Sequence, residues 1–325
     1  MKTIVSLLLI TALLSCKKTT TTPTTNSTNN SNSNINDTCW VNYENIQNVT
    51  IVEIDNSDTK WFYNISELYS FDNKWNYFTS SKYFHDKLII NPINNEKKMY
   101  SQYPGALYSW GITTFDGINF KNDNLSNLPI HSAVYDGLGN LYFTSYNLLL
   151  KINYSTNKID TVYEGISGKI KKYYNNTLWI SNFKDGLLKY DISKKKITET
   201  FNQSNSMISG EFIGDIVFDN LGNMWVATDG GLSKYDGKAW VNFNSVNSGL
   251  VDNGITSIAV DKFNNIWVGT GKGLSKYNNS NWTNYTPLNS KILDYGILDI
   301  AVDKQDNKWI VTEEGVSKLS KTKSN

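Results

Sequence analysis

The chain has no arginine: all 31 of its basic residues are lysines. The planar guanidinium forks that grip phosphate in pairs and read guanine are therefore missing. Thirty acidic residues balance them to a net charge of +1. No basic surface follows from bulk charge, and nucleic-acid binding is excluded as an expected function. Cysteine is scarce, with only Cys16 and Cys39, so no disulfide framework is available. Histidine is equally scarce, with only His85 and His131. Zinc-ligand spacings, a nucleophile elbow and a phosphate loop are all absent. The leading apolar run, Ile4 to Leu14, is too short for a permanent membrane-spanning helix.

What the chain does have is repetition. NMWVATDGGLSKYDGKAWVNF, NIWVGTGKGLSKYNNSNWTNY and NKWIVTEEGVSKLS begin at Asn223, Asn265 and Asn307, and Trp225, Trp267 and Trp309 are 42 residues apart in each step. Weaker copies place Trp179, Tyr142, Tyr100 and Trp61 at the same point. Seven units of about this length predict an all-β, seven-bladed propeller with four short antiparallel strands per blade. In the fifth copy IGDIVFD reads as an inner strand, DNLGN as a turn, and MWVAT, GLSKY and AWVNF as the following strands. The periodic tryptophans and the glycines at 186, 231, 273 and 315 read as scaffold, filling wedges between blades and re-entering strands.

The seventh copy lacks an outer strand, since only SKTKSN follows Leu319. Cys39-Trp40-Val41-Asn42-Tyr43 matches Ala239-Trp240-Val241-Asn242-Phe243. Residues 39–43 are thus expected to close the ring by pairing near Gly315–Leu319, which leaves no free edge and favours a monomer. The expected organisation is a signal peptide at 1–15, a tether at 16–37, the propeller at 38–319 and a tail at 320–325.

MKTIVSLLLITALLSC suits a cleaved signal, and Leu13-Leu14-Ser15-Cys16 resembles the lipobox of bacterial lipoproteins. Cys16 is the expected lipidation site. Lys17 rather than an aspartate after it is what outer-membrane delivery looks like, so the expected place is the bacterial envelope, periplasmic or surface-exposed. Residues 17–37 carry almost no apolar side chain and read as a disordered tether of the lipid anchor, on the order of 25 Å in reach. Cys39 then has no partner within the chain and reads, like Ala239, as a small half-buried residue.

Loops after each second strand and between blades share one face, and they vary most. That face holds the candidate ligand-binding residues Tyr103, Tyr108, Trp110, Phe183, Asp229, Lys272 and Glu313, with Asp185 and Glu314. The three aromatics lie in the insertion Ser101–Trp110, where they serve either to stack on a ligand or to fill an irregular blade. His85 and His131 open neighbouring inner strands. With Asp86 they form either a small polar cluster near the axis or two exposed loop histidines. The turns at Asp136, Asp219, Asp261 and Asp303 superficially resemble calcium loops but lack the terminal bidentate acid, so they read as hairpin turns. No cofactor, metal or catalytic residue is expected.

The unit D-x-x-N-x-W-V-G-T-x-x-G-L-S-K-Y with a following Trp resembles the two-component regulator propeller repeats of periplasmic sensor regions and related secreted proteins. The resemblance is strong over 213–319, fair over 168–201 and weak over 49–145. It implies a seven-bladed ring with a ligand-facing or partner-facing surface, and no reaction. Unlike the sensors, the sequence continues after Leu319 into no β-domain, membrane helix or kinase, so signalling across a membrane by this chain alone is not expected. Three functions follow. The favoured one is a non-catalytic envelope module binding an unknown glycan, peptide or envelope protein. The others are a structural or assembly scaffold, and an enzyme resembling streptogramin lyases, for which only His85 and His131 are available.

Overall fold

The computed structural model describes residues 38–321 except 65–66, 80–86, 101–111, 117–119, 123–127, 155, 157 and 183. Cys16, His85, Asp86, Tyr103, Tyr108, Trp110 and Phe183 therefore lie outside the described residues. The 28 strands form seven four-stranded antiparallel sheets, each an up-and-down blade. The inner strands of blades 1 to 7 are Ile51–Ile54, Lys87–Ile90, Ser132–Tyr135, Gly168–Tyr174, Ile213–Phe218, Ile255–Val260 and Ile297–Val302. The fifth copy gives Met224–Thr228, Gly231–Tyr235 and Trp240–Phe243 as the remaining strands of its blade, as its residue types predict.

The seam is where the sequence placed it. Thr38–Tyr43 pairs antiparallel with Gly315–Lys321, with Trp40 opposite Leu319 and Tyr43 opposite Val316. Trp40 packs edge-on against Tyr285 of blade 6, centroids 5.9 Å apart, and Tyr43 stacks on Trp309 of blade 7 at 5.9 Å. Asn42 donates to the Lys291 carbonyl, as Asn242 and Asn284 donate to those of Met207 and Gly249. One short strand thus serves two inter-blade cores.

Almost every polar residue of the repeat is used inside the scaffold. The turn aspartates Asp55, Asp219, Asp261 and Asp303 accept from amides two and four residues on and from the indole Nε1 of Trp61, Trp225, Trp267 and Trp309 at 2.9–3.0 Å. That fixes them as hairpin turns. Burial opposes ionisation of these four carboxyls, but the indole and side-chain donors outweigh it and hold them below the usual aspartate range. The serine of each GLSKY or GVSKL accepts a loop amide: Ser233 from Ser209, Ser275 from Val251 and Ser317 from Leu293. The lysine that follows lies over the tryptophan, as Lys234 does over Trp225 at 5.1 Å. Gly231 and Gly273 have φ of +118° and +141°, and a Cβ at Gly231 would meet the Phe243 carbonyl oxygen at 2.5 Å, so glycine is required there.

Two expectations are corrected. In blade 2, Lys98 and not Tyr100 stands at the tryptophan position: Lys98 opposes Ile89 as Trp61 opposes Glu53, while Tyr100 corresponds to Tyr63. The Asn91 turn is one residue longer than the Asp55 turn, which shifts the alignment, and a buried Lys98 donating to Thr114 Oγ1 at 2.7 Å replaces the ring. Cys39 is buried but disulfide-bonded in the structure, not without a partner. Two thiols suffice for one bridge where they suffice for no framework. Since Cys16 is the only other cysteine, a bridge and an acylated Cys16 are alternatives at one sulfur.

Candidate functional site

Because the strands alternate in direction, connections between second and third strands and between blades share the loop face, and the remaining hairpins share the opposite one. Asp185, Asp229, Lys272, Glu313 and Glu314 stand on the loop-face hairpins of blades 4, 5, 6, 7 and 7, between the second and third strands. Each blade contributes separately, so the ring distributes them in an arc. Several already have partners: Asp229 accepts from the Phe212 amide at 3.2 Å, Asp185 from Asn182 Nδ2 at 2.6 Å, and Lys272 pairs with Asp252 at 2.9 Å. The Lys272–Asp252 pair is solvent-exposed and adds little to stability. His131 precedes the inner strand of blade 3, and burial together with Lys169 lowers its pKa.

Sequence reasoning missed the loop-face turns between blades. Asn205-Ser206, Asn247-Ser248 and Asn289-Ser290 recur at 42-residue steps. Each asparagine accepts a turn amide and donates to an outer-strand carbonyl, and each serine hydroxyl donates to the turn's first carbonyl. These rigid turns hold Val246 91% and Leu288 87% exposed, with Met207 and Phe212 exposed beside them. The repeated Asn-Ser pair was the available signal.

Along the axis the inner strands enclose a cavity of about 570 Å³. One-residue bulges in blades 4 to 7 fall between Ile170 and Lys172, Ile213 and Asp215, Ile255 and Ser257, and Ile297 and Asp299. Side chains beside these bulges cross to the next blade and satisfy inner-strand amides that no further strand pairs. Ile258 N–H donates to Asp215, Ile300 N–H to Ser257 and Val52 N–H to Asp299. Toward the loop face the channel is charged: Lys87 pairs with Glu53 at 2.8 Å, and Lys171 donates to the Gly214 carbonyl at 2.8 Å. Burial raises the Asp299 carboxyl to about 6 and lowers the Lys171 ammonium to about 8. Lys87 is enclosed by the ring yet 38% accessible, because open channel lies beside it. Burial disfavours its charge, but Glu53, with Tyr63 and Asp299, holds it protonated well above the usual range. These groups are spent on one another and on the backbone, which makes the channel a stitched axis more than a reactive pocket.

Residues 249–272, from the loop before blade 6 into its second hairpin, match the family model described as two component regulator propeller. The chain carries a two-component regulator propeller repeat. Solved structures share the propeller. PorZ, a bacterial surface component of the type-IX secretion system of Porphyromonas gingivalis, superposes at TM-score 0.62 and 15% identity over 87% of this chain and 45% of that one. The extracellular domain of the putative hybrid two component system BT4673 of B. thetaiotaomicron superposes at TM-score 0.65 and 18% identity over 84% and 38%. Virginiamycin B lyase of Staphylococcus aureus superposes at TM-score 0.64 and 14% identity over 87% and 98%. The chain thus spans less than half the length of the first two, and at these identities the likeness is one of fold. No curated protein matches the chain.

Proposed function

We propose that this repeat protein is a non-catalytic binding module of the bacterial envelope, anchored through lipid on Cys16 in place of a bridge to Cys39, which engages a peptide or protein ligand on its loop face. The observation that carries the reading is the division of labour within the unit. Its repeated polar groups are consumed by turns and blade contacts, whereas Val246, Leu288, Met207 and Phe212 are exposed on the same face as Lys272, Glu313 and Glu314. Apolar anchors within a charged rim suit a peptide or protein surface. Two of the structural neighbours, a bacterial surface component and an extracellular domain, support the envelope reading.

Peptide-display selection and a glycan array against the purified protein test this directly. Joint Val246→Asp and Leu288→Asp replacement is expected to lower capture roughly ten-fold or more without moving the melting temperature. Joint replacement of Tyr103, Tyr108 and Trp110 by Ala tests the insertion in the same assay. Capture unchanged by both variants would remove the loop face from consideration, and mass spectrometry of the membrane-extracted protein reads the lipid on Cys16.

A further inference from the structure

The face opposite the loop face carries a second apolar pattern, at one turn position in four blades. In the first hairpin of blades 2, 3, 5 and 6 the residue two beyond the turn Asn or Asp is Ile93, Leu138, Leu221 and Phe263. Each donates its amide back to Asn91, Asp136, Asp219 or Asp261, at 2.9, 2.9, 2.9 and 3.0 Å. That bond makes the residue the tip of the turn and sends its side chain outward; Leu138 is 82% and Leu221 79% exposed. The equivalent positions of blades 1 and 7 hold Ser57 and Gln305, so the turn itself does not require an apolar residue.

Lysines share this face: Lys262 lies beside Phe263, Lys304 in the first hairpin of blade 7, and Lys194, Lys195, Lys196 and Lys238 in the outer hairpins, all exposed. Two acids share these hairpins: Asp191 accepts the Lys194 amide and pairs with its ammonium at 2.9 Å, and Asp236 accepts the amides of Lys238 and Ala239. The closing strand begins here as well. Thr38 pairs with Lys321 at the end of blade 7 remote from its Gly315 hairpin, so residues 1–37 join the ring on this face.

We propose that this hairpin face seats on the surface of an anionic lipid bilayer, with Ile93, Leu138, Leu221 and Phe263 entering the headgroup boundary and the lysines meeting lipid phosphates, so that the loop face points away from the membrane. The inference rests on the anchored-module reading for its orientation. A surface contact of apolar tips with basic neighbours fixes which face looks outward.

The test separates rim from anchor by using the full chain with Cys16→Ser, which has no sulfur for lipid. It is expected to co-sediment with vesicles of phosphatidylglycerol and phosphatidylcholine, and less with phosphatidylcholine alone or at high salt. Adding Leu138→Asp, Leu221→Asp and Phe263→Asp, all at exposed tips, is expected to weaken that binding roughly ten-fold or more with an unchanged melting temperature. No sedimentation of the Cys16→Ser chain, or sedimentation indifferent to the three aspartates, overturns the proposal even if Cys16 proves lipidated. Loss of sedimentation on Val246→Asp with Leu288→Asp instead would reverse the orientation and overturn it equally.

Discussion

Blades 5, 6, 7, 1 and 2 are joined turn to turn by polar groups, Asn56 N–H to the Asn95 side chain and Lys97 to Asp55 among them, that the remaining arc, blades 3 and 4, lacks. In the first arc Asn220 N–H donates to the Asn264 side chain, Lys262 N–H to Asp306 and Lys304 N–H to Asp58, which links turn to turn across the seam. Buried lysines reinforce it. Lys308 bridges Asp306 and Asp261 at 2.9 and 3.1 Å while lying over Trp267, and Lys60 bridges Asp58 and Asp303 at 2.8 and 3.3 Å over Trp309. Asn264, Asp306 and Asp58 all have positive φ, a conformation that Asn and Asp tolerate, so one residue serves both the turn and the neighbour. In blades 3 and 5 that position is Gly139 and Gly222, with φ of +78° and +84° and no side chain to accept from the blade before. Blade 4 departs further: Tyr174, stacked on Phe218 at 3.8 Å, stands where the turn aspartate would be, and Trp179 Nε1 is buried without a partner. The repeat is therefore a code for cohesion between blades, and its erosion marks where the turn-to-turn links are lost.

The seam tests the stronger arc most severely. Trp40→Ala is expected to cost about 3–5 kcal/mol, read as a lowered urea midpoint; a loss as small as that of an exposed residue would mean the ring closes without this strand. Acid discriminates the arcs next. Asp55, Asp219, Asp261 and Asp303, all in the stronger arc, have lowered folded-state pKa values, so their stabilisation is fully present above the unfolded value of about 4 and is lost as pH falls through the folded ones. Asp299 runs the other way. With its carboxyl raised to about 6, its contribution is greatest in acid and declines as pH rises from about 4 towards that value, because the unfolded chain ionises first. Urea midpoints measured from pH 7 to pH 2 should fall steeply below about pH 4, and Asp299→Asn should flatten the limb between there and neutrality.

A paired substitution compares the tryptophans. Trp267→Phe gives up a charge-assisted bond and is expected to cost about 1–2 kcal/mol more than Trp179→Phe, which gives up none; equal losses would deny the aspartate–indole bond its role. The smallest effect lies at the turns. Asn264→Gly is expected to destabilise by about 0.5–1 kcal/mol through loss of the Asn220 contact, whereas Gly222→Ala is strained by its positive φ and gains no acceptor.

Periodicity made the blades and the seam legible, because a strand that must fill the same wedge seven times reuses the same residue. Trp40 was found by matching Trp240, and Asp219 by its place in a repeated turn. Lys98 was not, since one extra turn residue displaced the register while Tyr100 offered a nearby aromatic. The candidate site was legible only as a face. Asp229 and Lys272 lie on that face, but Val246 and Leu288 stood in turns with no aromatic or catalytic signal, and the exposed tips Leu138 and Leu221 looked like ordinary turn residues.

The sequence by itself determined the number of blades, their strand order and the strand that closes them, because these follow from local period and from the strand missing in the last copy. Only the tertiary structure decided that Asp215, Ser257 and Asp299 cap the amides of the next blade, that Lys308 reaches the turn of the blade before it, and that both ends of the described ring meet on one face. Those contacts join residues about 40 to 280 positions apart. Closing a ring brings them together, and nothing in a window of neighbouring residues records it.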